Sequence, residues 1–337
     1  MTQPRIIQLS LLGLLVLAIL PLLLPPFWTA NILGRAFVYG IVALSLTFLA
    51  SYGGFVSLGQ TMIAGIAGYT VAILAPDAIP TALPNSYLVA VPAALVVATL
   101  AGLLVGVVAV RTNGIYLLMI TLALAVGFSL YVQANITLFN GYEGIRNVLG
   151  PEFFGLSFRN AYVSYYVALT VAAILYFGVL YLVRSPFGLV LQGLRDNARR
   201  VSALGFNASL HRIASFGVAG FIAGCGGVLV TFYNIGISPG SVGLSATVNI
   251  LVMSVIGGLG HPIGAFLGSL IFTIFDTFAA DLYDRNRFNT LIGTVFLVIV
   301  LISPDGVIGL MKRVTSILSQ AKTGAVGDKA APRTGEA

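Results

Sequence analysis

Few residues in this chain of 337 could do covalent or metal chemistry, and their spacing argues against most of it. A single cysteine, Cys225, excludes an internal disulfide and any multi-cysteine zinc or iron–sulfur site. The two histidines, His211 and His261, lie far apart, and no H-E-x-x-H or G-x-S-x-G is present. All three lysines, Lys312, Lys322 and Lys329, come late in the chain and none follows a G-x-x-x-x-G loop, so there is no P-loop. The acidic Asp281-Leu-Tyr-Asp284 could hold a metal, as a membrane transferase acting on diphosphates would need. The simpler reading is a solvated loop facing Arg285 and Arg287. These residues predict no catalytic centre, no metal and no cofactor.

What remains is polar residues and glycines set into apolar sequence. The stretch from Gly53 to Tyr69 places Ser57, Gln60 and Thr61 beside Gly59 at the start of an apolar span. Either the helix is broken there and its free polar groups line a path through the membrane, or the hydroxyls bond back to backbone carbonyls in an ordinary helix. Ala64 and Gly68 make a small-x-x-x-small seam that lets a neighbouring helix approach. Arg111-Thr-Asn-Gly-Ile-Tyr leads into a span carrying Thr121, a polar pore-lining candidate, with Arg111 either an interfacial anchor or a functional cation. Gly220 and Gly224 in one span, and Gly260, Gly264 and Gly268 around another, recur at four-residue spacing and read as packing faces. His261-Pro262 marks either a turn between spans or a re-entrant turn on a substrate path.

The segment Ser185 to Asn207 has a different character. Pro186 suits a first helical turn and Gly205 a C-terminal cap. Between them Leu189, Leu191, Leu194, Val201 and Leu204 alternate with Gln192, Arg195, Asp196, Arg199 and Arg200, which predicts an amphipathic helix of about five turns. Such a helix lies on a bilayer with its arginines toward anionic lipid, or docks in a groove of a soluble partner.

The elements that must carry these residues are membrane spans. Hydrophobic residues make up 58% of the chain and charged ones 8%, against roughly 25% charged in a soluble domain. Apolar runs of about 20 residues fall at 6–24, 33–50, 54–75, 87–110, 113–133, 161–183, 212–235, 244–260, 261–280 and 289–309, predicting an all-α polytopic protein of about ten helices. The first run meets Pro25-Pro26 without a cleavage pattern, so it reads as a retained helix rather than a signal peptide. Ten crossings put both termini on one side. That side receives Arg5, Arg111, Arg184, Arg195, Arg199, Arg200, Arg212, Lys312, Arg313, Lys322, Lys329 and Arg333. The other receives Arg35, Arg146, Arg159, Arg285 and Arg287, offset by Asp77, Glu143, Glu152, Asp281 and Asp284. The positive-inside rule makes the first side cytoplasmic. The net charge of +7 is therefore read as topology rather than nucleic-acid binding.

Two loops exceed turn length, 134–160 outside and 184–212 inside, and the Gly/Ala-rich tail at 314–337 is predicted to be disordered. Spans two to five and seven to ten are four-helix blocks an odd number of crossings apart, which permits an inverted repeat. Asp276 falls near a span end and no carboxylate falls mid-span, which argues against a proton-coupled carrier.

Taken in order, these segments resemble the LivM-type inner-membrane permeases of branched-chain amino acid ABC importers. The family pattern runs G-x-x-S-L-G, R-x-x-G-x-Y-x-x-x-x-T-L, S-x-F-G…(A/G)-(I/L)-R-(D/E)-N, A-G-x-x-G and G-G-x-G-x-x-x-G, matched here between about residues 35 and 310. Phe139-Asn-Gly-Tyr-Glu-Gly144 stands where the family has T-G-G-x-x-G, and Gln60 where histidine often follows S-L-G. The resemblance implies a type II ABC importer-like permease domain over 1–313 in the bacterial inner membrane. It implies a second LivH-like permease subunit, two cytoplasmic ABC ATPases and a periplasmic binding protein as partners. It makes Gly193, Arg195, Asp196, Asn197, Ala203 and Gly205 candidates for coupling to the ATPases. Leucine, isoleucine and valine are the implied substrates. Permeases for urea or short-chain amides share these motifs, and a stand-alone channel or secondary carrier is the rival of another class.

Overall fold

A computed structural model gives the arrangement of the chain. It describes residues 3–76, 78, 86–112, 114–152, 157–282, 293, 294, 297 and 306–309. Asp284, Arg285, Arg287, the tail at 314–337 and most of the run at 289–309 lie outside the described residues.

The protein is a mostly helical membrane protein. Among the described residues six helices are long and apolar enough to cross a bilayer: Trp28–Gly53, Tyr87–Ala109, Ile115–Ala134, Ala161–Arg184, Ala208–Tyr233 and Pro239–Gly257. Gly13–Leu23, Gln60–Leu74 and Pro262–Phe278 are shorter apolar helices. In chain order the elements are α1 (Gln3–Leu23), α2 (Arg35–Phe48, continued at both ends by π-helical turns), α3 (Gln60–Leu74), α4 (Tyr87–Ala109) and α5 (Ile115–Ala134). They continue with the one-turn α6 (Ile136–Phe139), β1 (Ile145–Arg146), α7 (Ala161–Arg184), α8 (Pro186–Ala203), α9 (Ala208–Tyr233), β2 (Gly236–Ile237), α10 (Leu244–Gly257) and α11 (Pro262–Leu282).

Beyond Arg35 helix α2 is largely apolar and buried, and it is wrapped by α7, α9, α10 and α11. Cross-helix hydrogen bonds fix its position: Ser269 donates to the Ala36 carbonyl at 2.7 Å and Ser254 to the Ala43 carbonyl at 3.4 Å. Helices α4, α5 and α7 keep broad apolar faces exposed, including Leu88, Leu100, Leu104 and Ile174, where lipid tails take the place of protein neighbours.

Helices α4 and α9 pack through a stripe of small residues, Ala90, Ala94, Ala98, Gly102 and Gly106, one every fourth position. A Cβ on Gly102 would stand 2.6 Å from the Phe216 carbonyl oxygen, and one on Gly220 would stand 2.8 Å from that of Ala98. The backbones cross at distances only hydrogen allows.

Four local features differ from the sequence expectation. The second span begins at Trp28 rather than 33, and the third is shorter than 54–75, because Gly54 takes a left-handed turn (φ +71°) and the chain stays non-helical until Gln60. The outer segment is not wholly irregular: Ile145 pairs with Ile237 and Arg146 with Gly236 in a short antiparallel ladder. Gly260 does not share a helix face with Gly264 and Gly268. It lies in the turn before Pro262, where an added Cβ would meet nothing within 4 Å, because the proline's fixed φ starts the helix two residues later.

Candidate functional site

A cavity of about 220 Å³ opens between α2, α3, α9, α10 and α11. That is far above the ~10–15 Å³ one water requires. Its apolar wall includes Val42, Ile250, Met253 and Phe272, and its polar lining includes Thr61, Ser241, Asn249 and Thr273. Arg35 and Asp276 stand at one end of it. Their Nη1 and Oδ2 atoms form an ion pair at 2.7 Å, and the Arg35 guanidinium lies 5.6 Å from the centre of the Tyr39 ring.

The position of this pair refines the sequence reading, which counted Arg35 with the charges of the outer side, at the start of a span at 33–50. The helix starts at Trp28, seven residues earlier. At about 1.5 Å per residue Arg35 is therefore about 10 Å inside it. Asp276, read from sequence as a residue near a span end, turns out to be its partner. The missed signal was an arginine with apolar runs on both sides, Ile32-Leu33 before and Ala36-Phe-Val38 after. Asn249, flanked by Val248 and Ile250, was missed in the same way.

Of the four expected path residues, Thr61 lines the cavity and Ser57, Gln60 and Thr121 do not. Ser57 Oγ accepts from the Gly59 amide at 3.3 Å. Thr121 Oγ1 accepts from the Leu58 amide at 3.1 Å and donates to the Leu117 carbonyl at 2.8 Å. Thr121 thus ties the non-helical 54–59 segment to α5. Gln60 is 1% exposed and both its amide atoms lack a hydrogen-bond partner among the described residues. Thr61, Ala64 and Gly65 reach the cavity because α3 starts only after that segment, its Gly59 N-cap leaving the polar end of the helix against α5.

The other packing glycines sit at close crossings. A Cβ on Gly68 would stand 2.5 Å from both Ile237 Cδ1 and Thr231 Oγ1, and one on Gly224 2.7 Å from Ala98 Cβ. Gly264 and Gly268 pack against the backbone of Gly257, Gly258 and Met253 at the α10–α11 crossing.

The amphipathic segment forms α8 with Pro186 in its first turn and Ser185 Oγ accepting from the Gly188 amide. It is not one straight helix of five turns. Asn197 leaves helical geometry (φ −159°, ψ 95°), and its side-chain oxygen accepts from the Arg200 amide at 3.1 Å, capping a new short turn. Gly205 closes the segment at φ +86°, the left-handed cap geometry.

Leu191 and Leu194 are buried, whereas Leu189, Leu204, Phe206 and Leu210 are exposed. Arg195 reaches back to the membrane domain: Nη1 donates to the Ser51 carbonyl at 2.6 Å and Nε pairs with Asp196 at 3.1 Å. Gly193 has only the Val201 side chain near, and Asp196 and Ala203 are exposed. The Arg195–Ser51 bond brings α8 against the end of the second span, and the 26-residue α9 separates α8 from the β1–β2 ladder.

Helices of this length and polarity, a polar cavity between them and a tethered extramembrane helix define a multi-pass permease. A model of the branched-chain amino acid transport system permease component matches residues 28–302, and the chain belongs to that family. It is 23% identical to the high-affinity branched-chain amino acid transport system permease protein LivM of Escherichia coli, over 90% of this chain and 76% of that protein. It is 26% identical to the corresponding BraD of Pseudomonas aeruginosa, over 57% of this chain and 64% of BraD, just under two thirds of that relative's length. A probable LivM of Methanocaldococcus jannaschii is 28% identical over 51% of this chain and 49% of its own. No solved structure matches the chain significantly.

Proposed function

We propose that this chain is the permease subunit of an ABC importer that carries leucine, isoleucine and valine across the bacterial inner membrane. The observation that carries the reading is the tether between α8 and the membrane core. A helix awaiting a cytoplasmic partner is bonded through Arg195 to the end of the most buried span, so a push on α8 reaches α2 directly. The exposed Leu204, Phe206 and Leu210 are the apolar anchors a groove on an ATPase would take. Gly193, Asp196, Asn197, Ala203 and Gly205 shape that contact. Two such ATPases supply the energy, a LivH-like second permease completes the path, and a periplasmic binding protein delivers the ligand. The E. coli LivM and BraD, named for branched-chain amino acid transport, support the substrate.

The six long and three shorter apolar helices, with the run at 289–309, make ten crossings with both termini cytoplasmic. An inverted repeat is supported by a shared pattern. The long helix ending at Gly53 leads through a non-helical segment into the 15-residue α3, and α9 leads through β2 and a single 3-10 turn (Pro239–Ser241) into the 14-residue α10. The two linking segments lie at opposite ends of the molecule, as inverted topology requires. Thr61 on α3 and Asn249 on α10 line the same cavity.

The test is uptake of labelled leucine and labelled urea, each at low concentration, into cells with the gene deleted or restored. Loss of leucine uptake alone is expected. Loss of urea uptake alone would keep the permease and overturn the substrate. Leucine transport by the purified chain alone, indifferent to ATP, would overturn the ABC assignment.

A further inference from the structure

We infer that Arg35 and Asp276 are a clamp for the two charged ends of a zwitterionic solute inside the membrane domain. The inference rests on the amino acid reading above and deepens it. A charge within a span is costly and is kept where it works on a substrate or a path. Here both charges lie within helices, α2 and α11, and line one cavity. Neither is sealed: their side chains are 35% and 22% exposed, so a solute in the cavity can reach both.

The electrostatics select the solute class. The empty site holds one positive and one negative group in contact, with no net charge. An α-amino acid entering between them brings its carboxylate to the guanidinium fork, the geometry such a fork matches best, and its ammonium to the Asp276 carboxylate. One ion pair becomes two, and the cavity stays neutral throughout. A neutral solute such as urea would have to break the pair and give back only dipoles. A lone anion or cation would leave one protein charge uncompensated, which a poorly solvated site does not tolerate. Tyr39, beside the guanidinium, holds it as its ion-pair partner changes. The apolar wall of Val42, Ile250 and Met253 then receives an aliphatic side chain.

The experiment uses the complete transporter in proteoliposomes with its binding protein and ATP, and the detergent-purified permease–ATPase complex for binding of labelled leucine. In wild type, leucine competes, whereas leucinamide (no carboxylate) and 4-methylpentanoate (no ammonium) compete weakly. Arg35→Gln and Asp276→Asn should each raise the half-saturating leucine concentration by on the order of tenfold or more. Asp276→Asn should also narrow the gap between leucine and 4-methylpentanoate, and Arg35→Gln the gap between leucine and leucinamide. A pair that only holds helices together would change the amount of complex without swapping analogue preference. Should a single variant fail to assemble, Arg35→Gln/Asp276→Asn removes both charges and leaves none unpaired; it is expected to assemble and to lose leucine binding. Wild-type binding and analogue preference in these variants would overturn the clamp alone. A wild-type complex that carries urea and not leucine would overturn both the clamp and the substrate reading beneath it.

Discussion

At the scale of single residues, the polar groups divide between those that hold the backbone and those that face the cavity. Sequence spacing could not separate them. Ser57, Gln60, Thr61 and Thr121 look alike as polar residues in apolar runs, yet Thr121 spends its oxygen on the Leu58 amide while Thr61 lines the cavity. Replacing Thr121 by the isosteric valine keeps the volume and strips a partly buried amide of its acceptor. The expected loss is about 1–3 kcal/mol, the cost of an unsatisfied buried polar group. A lowered melting temperature of the purified complex for Thr121→Val, with Thr121→Ser close to wild type, would check it. Arg35 was hidden for a related reason: near the start of a run taken to begin at 33, it looked like a charge at a span edge. The continuous helix from Trp28 places the arginine about two turns inside it.

At the scale of elements, most spans were legible because each apolar run must satisfy its own backbone bonds in lipid, which leaves helix as the solution. Where the chain departs from helix, a tertiary partner compensates, and no single-sequence pattern encodes that partner. The 54–59 segment relies on Thr121 from α5, and the β1–β2 ladder joins residues about 90 positions apart. The glycine spacing in α9 was legible, but the matching stripe on α4 was not, because alanines at every fourth position resemble ordinary helix formers. That stripe makes Gly102→Ala a sharp test. Its new methyl would meet the Phe216 carbonyl and the Gly220 backbone, and overpacking of this kind costs about 1–3 kcal/mol. Gly178→Ala on α7 meets nothing within 4 Å among the described residues and should be neutral or slightly stabilising, since alanine is the better helix former. Equal melting temperatures for the two variants would refute the close α4–α9 crossing. In α8 the caps were legible and the break at Asn197 was not. Proline cannot adopt the φ of +86° found at Gly205. Gly205→Pro should therefore distort the end of α8, leaving membrane insertion intact and ATP hydrolysis uncoupled from uptake. Unchanged uptake in that variant would remove α8 from the coupling role.

At the scale of the whole molecule, the two working regions lie at opposite ends of one helix. The Ser51 end of the long second span is held by Arg195 of α8, and its other end carries Arg35 in the cavity wall. In the proposed importer, the binding protein and the ATPases act on this element from its two ends only when α8 faces the cytoplasm. Sidedness is therefore the property on which the scheme stands. The single native cysteine makes it measurable, since Cys225→Ser leaves a chain with none. Ser157 precedes α7 and Ser209 opens α9; both are exposed and a cysteine replaces either conservatively. One crossing, α7, separates Ser157 from α8, so the two sites must lie on opposite sides. The positive-inside rule assigns Ser209, with Arg195, Arg199, Arg200 and Arg212 around it, to the cytoplasm. A membrane-impermeant maleimide on intact spheroplasts should label Ser157→Cys at once and Ser209→Cys only after permeabilisation. The reverse pattern would place the arginine-rich helix outside, away from ATP, and the Arg35–Asp276 clamp at the end where solute leaves rather than where it arrives.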